Sequence, residues 1–272
     1  MVFSKLKSED VKEKSNASFA SHRCEYLLCL ALDIGEGILK SGGEISRVED
    51  TVSRICKAYG AEHVEVFAIP SVIIASIRME DGEYSSQTRR VHGSENNLAR
   101  VETFSDISYQ ICRELPPLET VDEMLRAQKK KKPMPFAVVF LGYMLASGSF
   151  AVFFGGGIWD GVVGAVIGAV FSLLERTSLG RINQLARTAL ESFVGGSMAH
   201  LSILMGVGQN VAAIMIGTVM LLVPGVAFGT ALRDLLYGDF LAGSLKMVQV
   251  VLIALMIAFG YLLASFVIGG VM

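Results

Sequence analysis

Charge is distributed so unevenly along this chain that no single solvent suits both of its halves. Of the 24 Lys and Arg, 19 lie in residues 1–132, together with 21 of the 26 Asp and Glu. From Pro133 to Met272 five of each sign remain, and 21 of the 28 glycines fall there. A long, apolar, glycine-rich stretch with few charges is what a lipid bilayer demands of a helical protein. The expected fold class is an α/β cytosolic domain plus a polytopic α-helical membrane domain of about five transmembrane helices. The formal net charge of −2 conceals the two halves and gives no reason to expect nucleic acid as a partner.

The polar half reads as a flexible cytosolic tail over 1–20, without the apolar core of a secretory signal, and an α/β domain over 21–130. Apolar residues recur at helical spacing over 23–40, and Ser41-Gly42-Gly43 stops that helix. Glu44 to Tyr59 reads as a second helix, with Ile45, Val48, Val52 and Ile55 on one face and Gly60 as its end signal. Two strand-like runs follow, 63–69 and 72–79, separated by Pro70-Ser71. Asp81-Gly82 marks the turn to a third, weaker strand around 84–91. Helical periodicity returns over 95–113, and after Pro116-Pro117 a short charged helix covers 119–130. Cys24, Cys29, Cys56 and Cys112 match no zinc or redox spacing and are expected as reduced, largely buried thiols.

Lys129–Lys132 marks the boundary to the membrane domain, 133–272, and pins the start of the first membrane helix to the cytoplasm. Helices are expected at about 135–154, 158–175, 189–206, 210–231 and 247–271, each near the ~20 residues needed to cross. The expected outer connections, Gly155–Asp160 and Gly206–Gln209, contain no Lys or Arg. The inner ones hold Arg176, Arg181, Arg187, Arg233 and Lys246. This distribution agrees with a multi-pass membrane protein that has a cytosolic N-terminus and an external C-terminus.

Gly161, Gly164 and Gly168, then Gly195, Gly196 and Ala199, place small residues on helix faces where backbones can approach closely. Glu191 and His200 are ionisable groups at membrane depth. Each is open to two readings: a proton or transport role, or snorkelling for Glu191 and hydrogen-bonded packing for His200. Ser192 and Ser202 could add hydroxyls. The strongest local feature is LLVPGVAFGTALRDLLYGD over 221–239. Pro224 has no N–H, so the carbonyl of Met220 loses its helical partner, and Gly225 loosens the same point. Freed backbone at membrane depth belongs beside a cavity or inside protein, although a plain kink followed by an interfacial charge pair is equally open.

The PG…RDLLYGD run resembles the signature of the threonine/serine exporter (ThrE-like) family. GILKSGGEISRVEDTVSRICKAYGAEHVEVFAIPSVIIASI, over 37–77, is similar to that family's amino-terminal signature. With both motifs in order, the chain resembles the shorter, YjjP-type members. The resemblance implies export of a small-molecule substrate, threonine and serine or succinate-like dicarboxylates, across the cytoplasmic membrane. It also implies a separate small membrane subunit that supplies the missing second half, with oligomerisation left open. A unit of five crossings would be continued by an inverted partner, the arrangement that builds transport sites at a repeat interface.

By the resemblance, Pro224, Gly225, Arg233, Asp234, Gly238 and Asp239 are the expected membrane positions, with Glu191 and His200 added as candidates for the substrate path or gating. Arg233 would attract a substrate carboxylate, and Asp234 would hold Arg233 or a substrate ammonium. In the cytosolic motif, Gly42, Gly43, Glu44, Arg47, Glu49 and Asp50 are singled out. Glu44, Arg47 and Asp50 share a helix face by spacing, as a solvated surface or as a gate contact. No cofactor or metal is expected, and no enzyme: Gly-x-Ser-x-Gly and His-Glu-x-x-His are missing, and His22, His63 and His92 lack ligand spacing. A membrane-anchored metabolite sensor or hydrolase, with the cytosolic domain as its active part, is the alternative.

Overall fold

The computed structural model describes residues 23–93, 95–129, 134–176, 183–268 and 270. The tail read over 1–20, Lys130–Lys132 of the boundary run and Arg181 lie outside the described residues. Two compact units emerge: Met1–Lys131 with Val226–Met247, and Lys132–Gly225 with Val248–Met272. Residues 226–247, part of the apolar half, therefore group with the first unit.

In the first unit, helix α1 covers residues 23–40. Leu28, Leu32, Ile34 and Ile38 are fully buried in it, as befits a helix apolar on most of its circumference. Gly42 then adopts φ +86, and the N–H of Gly43 bonds the Ile38 carbonyl at 3.0 Å, closing the helix end. A Cβ on Gly43 would meet the Ile38 side chain and stand 2.9 Å from its carbonyl oxygen. Helix α2 (Ile45–Ala58) follows at once and buries Ile45, Val48, Val52 and Ile55, the face expected from the spacing.

Strands β1 (Ala61–Ile69), β2 (Val72–Met79) and β3 (Tyr84–Arg90) form an antiparallel meander in the order β1-β2-β3. Ile69 pairs with Val72, so Pro70-Ser71 is the whole of the first turn. Ile73, Ala75 and Ile77 alternate into the core while Ile74 and Arg78 face outward, the period of a half-buried sheet. Helices α3 (Leu98–Glu114) and α4 (Leu118–Lys129) complete the N-terminal part. Cys24 and Cys56 are buried and Cys29 and Cys112 half-buried, and all four are free thiols.

In the second unit, α5 (Phe136–Phe153), α6 (Ile158–Arg176), α7 (Gln184–Leu204) and α8 (Val211–Leu222) precede the break. Beyond it, α9 (Gly225–Leu236) and the start of α10 (Phe240–Val267) belong to the first unit, and α10 from Val248 onward to the second. The small residues act in packing. A Cβ on Gly148 would stand 2.7 Å from the Gly161 carbonyl oxygen, and one on Gly164 would stand 3.1 Å from that of Ser147. A Cβ on Gly195 would reach the Phe171 ring at 2.7 Å.

Three helices, α5, α6 and α10, are long and apolar enough to cross a membrane. The pair α8 and α9, bent by 55° at the break, makes a fourth if taken as one span. The fifth expected helix is α7. It has the length, 21 residues, but carries Arg187, Glu191, His200 and several serines. Polytopic helical membrane architecture thus stands on three or four spans among the described residues. The break falls where expected: Val223 is extended (φ −64, ψ 123), as a residue before proline prefers, and α9 restarts at Gly225.

Candidate functional site

Within the first unit, two sequence-distant segments bring together two neighbouring ion clusters, joined through the Gly43 carbonyl. Glu44 is the N-cap residue of α2, extended at φ −74 and ψ 147, and makes no side-chain cap bond to its own helix. Its carboxylate instead accepts a hydrogen bond from Arg233 Nη1 on α9. Arg47 stands 3.7 Å from the same carboxylate, so Glu44 lies between two guanidinium groups. The positive end of the α2 dipole favours the negative charge there. Arg233 also lies over the Tyr237 ring, 5.3 Å from its centroid.

Asp234 does not hold Arg233, one of the two roles considered for it. Successive residues of a helix point about 100° apart, so the two side chains diverge. Asp234 is paired with Lys246 of α10, whose Nζ donates to Oδ2 at 2.7 Å. The Asp234 side chain is 0% exposed and that of Lys246 13%. The same Nζ donates to the Gly43 carbonyl at 3.3 Å, joining the Gly42-Gly43 turn to the pair.

A hairpin sets this geometry. Gly238 turns the chain at φ +96, a conformation that costs other residues about 1–2 kcal/mol. The Asp239 N–H caps the Asp234 carbonyl at 2.9 Å. Gly243 lets the arms close, since a Cβ there would stand 2.9 Å from the Leu235 nitrogen.

Glu49, five residues beyond Glu44, accepts the backbone N–H of Ala68 at 2.8 Å and so ties α2 to the end of β1. Burial pushes its carboxyl above the ordinary value. The Ala68 bond opposes the rise, and the carboxylates of Asp239 and Asp234 add to it. Asp50 points elsewhere: Arg54 bonds it at 2.9 Å, reaches Ser108 at 2.7 Å and lies over the Tyr109 ring. Of the expected cytosolic residues, Gly43, Glu44, Arg47 and Glu49 thus border the network, whereas Asp50 belongs to an exposed contact between α2 and α3. Pro224 and Gly225 form the break at the start of α9, and nothing lies within 4 Å of a Cβ on Gly225.

Glu191 and His200 belong to the second unit, on the buried stripe of α7 formed by Thr188, Glu191, Ser192, Gly195, Gly196, Ala199, His200 and Ser202. Arg187 Nε stands 3.9 Å from Glu191, too long for a hydrogen bond. His200 Nε2 is 3.0 Å from Ser265 Oγ on α10, and its Nδ1 is buried without a partner among the described residues. Nearby in the fold, Thr218 Oγ1 and Tyr261 Oη share a hydrogen bond of 2.7 Å.

Two residues escaped the sequence reading. Lys246 counted only as an inner positive charge, although a lone cation opening the apolar run 240–267 was a signal. Asp160 was placed in an outer connection. It is instead fully buried at the start of α6, accepting the N–H groups of Gly157 at 2.8 Å, Gln209 at 2.6 Å and Asn210 at 3.0 Å. It fastens the loop before α8 to the start of α6.

Among curated proteins, the chain is similar to "Probable succinate transporter subunit YjjP" of Escherichia coli (strain K12). Identity is 24% over 239 residues, covering 86% of this chain and 92% of that protein. No solved structure matches. The family model described as "Putative threonine/serine exporter" matches residues 29–268, a span that includes both the Gly42–Asp50 segment and the Pro224–Asp239 run. On that match, the chain belongs to the threonine/serine exporter (ThrE) family.

Proposed function

We propose that this protein is one subunit of a secondary exporter that carries small amino or carboxylic acids out of a bacterial cell across the cytoplasmic membrane. A second small membrane subunit completes it. One observation carries the reading: Glu44 of the cytosolic segment lies between Arg47 and Arg233, and Lys246, paired with Asp234 in the hairpin, bonds the Gly43 carbonyl next to Glu44. The family match and the subunit named in the Escherichia coli relative support it. In this reading, Arg233 and Arg47 meet substrate carboxylates at the inner mouth, because a guanidinium fork can bond both oxygens of a carboxylate. Pro224-Gly225 supplies the freed backbone beside the route.

The same reading takes α7 as a fifth span. Glu191, His200 and most of its hydroxyl residues lie on the buried stripe, so its low apolarity does not oppose a crossing. An odd count, with the N-terminus inside and the C-terminus outside, leaves the pathway in need of an inverted counterpart. Arg176 at the end of α6, Arg181 between the two helices and Arg187 in the first turn of α7 agree with that orientation. The test is to co-purify the chain with its membrane partner and measure vesicle uptake of threonine, serine and succinate. Robust export by this chain alone, or none by the pair, would overturn the proposal.

A further inference from the structure

The Asp234–Lys246 pair is incomplete on both sides. Asp234 Oδ2 is bonded to Lys246, but Oδ1 is buried and has no hydrogen-bond partner among the described residues. A buried ionised carboxylate normally has both oxygens satisfied. Lys246 Nζ has three N–H donors. It makes one short bond to Asp234 and one long bond, 3.3 Å, to the Gly43 carbonyl. Its flexible four-carbon stem can reach away from this position without moving the backbone of α10.

A cavity of about 330 Å³ borders the same place, with Gly43, Glu44, Arg47, Glu102, Asp106 and Thr230 in its walls. Gly43 is the residue whose carbonyl Lys246 contacts, and Thr230 lies one helical turn before Asp234. The volume is at the small end of ligand sites. Its walls carry the carboxylates of Glu44, Glu102 and Asp106 and the guanidinium of Arg47; with Arg233 paired to Glu44, acidic groups still outnumber basic ones by three to two, which favours cations.

We propose that Asp234 is a binding site for a small primary ammonium compound, and that Lys246 Nζ is its tethered resident, displaced when the ligand enters from this cavity. An incoming R–NH₃⁺ supplies the donor that Oδ1 lacks, and the released Lys246 turns to the Gly43 carbonyl in the cavity wall. The exchange conserves charge at Asp234, so the buried carboxylate is never left bare. This rests on reading the network as part of the exporter's route, but binding alone tests it.

The test uses the full chain in detergent. Lys246→Ala removes the tether and should lower the melting temperature. n-Propylammonium chloride should then restore at least half of that loss, saturably. Tetramethylammonium chloride at equal ionic strength, which has no N–H, should not. The apparent Kd for propylammonium should be about tenfold lower in Lys246→Ala than in the wild type, because the tethered competitor is gone. The double variant Asp234→Asn/Lys246→Ala should show no propylammonium effect. If Lys246→Ala does not fold, Lys246→Gln keeps a donor to Oδ2 and takes the same titration. Equal responses to the two ammonium ions, or a response that survives Asp234→Asn, would overturn the proposal. Amine rescue without any vesicle transport by the pair would support this site while sinking the exporter reading.

Discussion

Lys246 Nζ lies 2.7 Å from Asp234 Oδ2, and the two residues stand on opposite arms of the hairpin that turns at Gly238. Because the Asp234 side chain is fully buried, removing its cation strands a charge. Lys246→Met should therefore destabilise the protein by about 3–5 kcal/mol, whereas Asp234→Leu with Lys246→Met should recover most of that loss. Thermal melts in detergent decide the matter, and a single variant as stable as the double would contradict it.

Arg233 and Glu44 are expected to behave differently. Arg233 is nearly half exposed, so solvent screens the pair, and Arg233→Ala should cost less than about 1 kcal/mol of stability. Its effect should appear in transport. Vesicle uptake by the proposed two-subunit complex should fall sharply for Arg233→Ala and Glu44→Gln with melting temperatures little changed. Wild-type rates in Arg233→Ala and Asp234→Asn would remove these residues from the site.

Glu49 sets a pH dependence. Its carboxyl is raised in the folded state, first by burial and then by Asp239 and Asp234. Folding therefore favours its protonated form. The stability it contributes is full below the ordinary value of 4.5 and is lost as pH rises through the higher folded value. Glu49→Gln keeps an oxygen to accept the Ala68 N–H but cannot ionise. It should be more stable than the wild type near neutral pH, and the difference should shrink on acidification toward pH 4.5. Melting curves across pH check the sign.

Two glycines of the apolar half should respond in opposite ways. A Cβ on Gly217 would press on the Ala151 backbone nitrogen at 2.5 Å, so Gly217→Val forces α5 and α8 apart at about 1–3 kcal/mol. Gly225 has open space around it, and Gly225→Ala should alter stability by no more than about 0.5 kcal/mol. Melting temperatures separate the two. If Gly225 matters to transport, it acts through its backbone and not through packing.

The elements were largely legible, because periodicity is a local property. Ile45, Val48, Val52 and Ile55 announce the buried face of α2, and Pro70-Ser71 announces the turn between β1 and β2. Val223-Pro224 likewise announces the break in the fourth apolar run. What the local pattern could not show was pairing across long separations. Glu44 meets Arg233 at a distance of 189 residues, and Lys246 meets the Gly43 carbonyl at 203. Asp160 was hidden for the same reason, since its partners Gln209 and Asn210 lie 49 and 50 residues on. The role of α7 was only half visible: its charges argue against a span, and only the burial of its polar stripe shows which way they point.

The first unit is assembled from two separate lengths of chain, Met1–Lys131 and Val226–Met247. The polypeptide therefore passes between units three times: after Lys131, after Gly225 and after Met247. A fragment cut at Lys131 would be an unfinished object. It would leave Glu44 without Arg233, the Gly43 carbonyl without Lys246, and part of the apolar core without the Ala242 that packs into it. Splicing the 226–247 hairpin onto residue 131 through a linker would restore both lengths of chain that build the unit. A plain truncation would lack every one of those contacts.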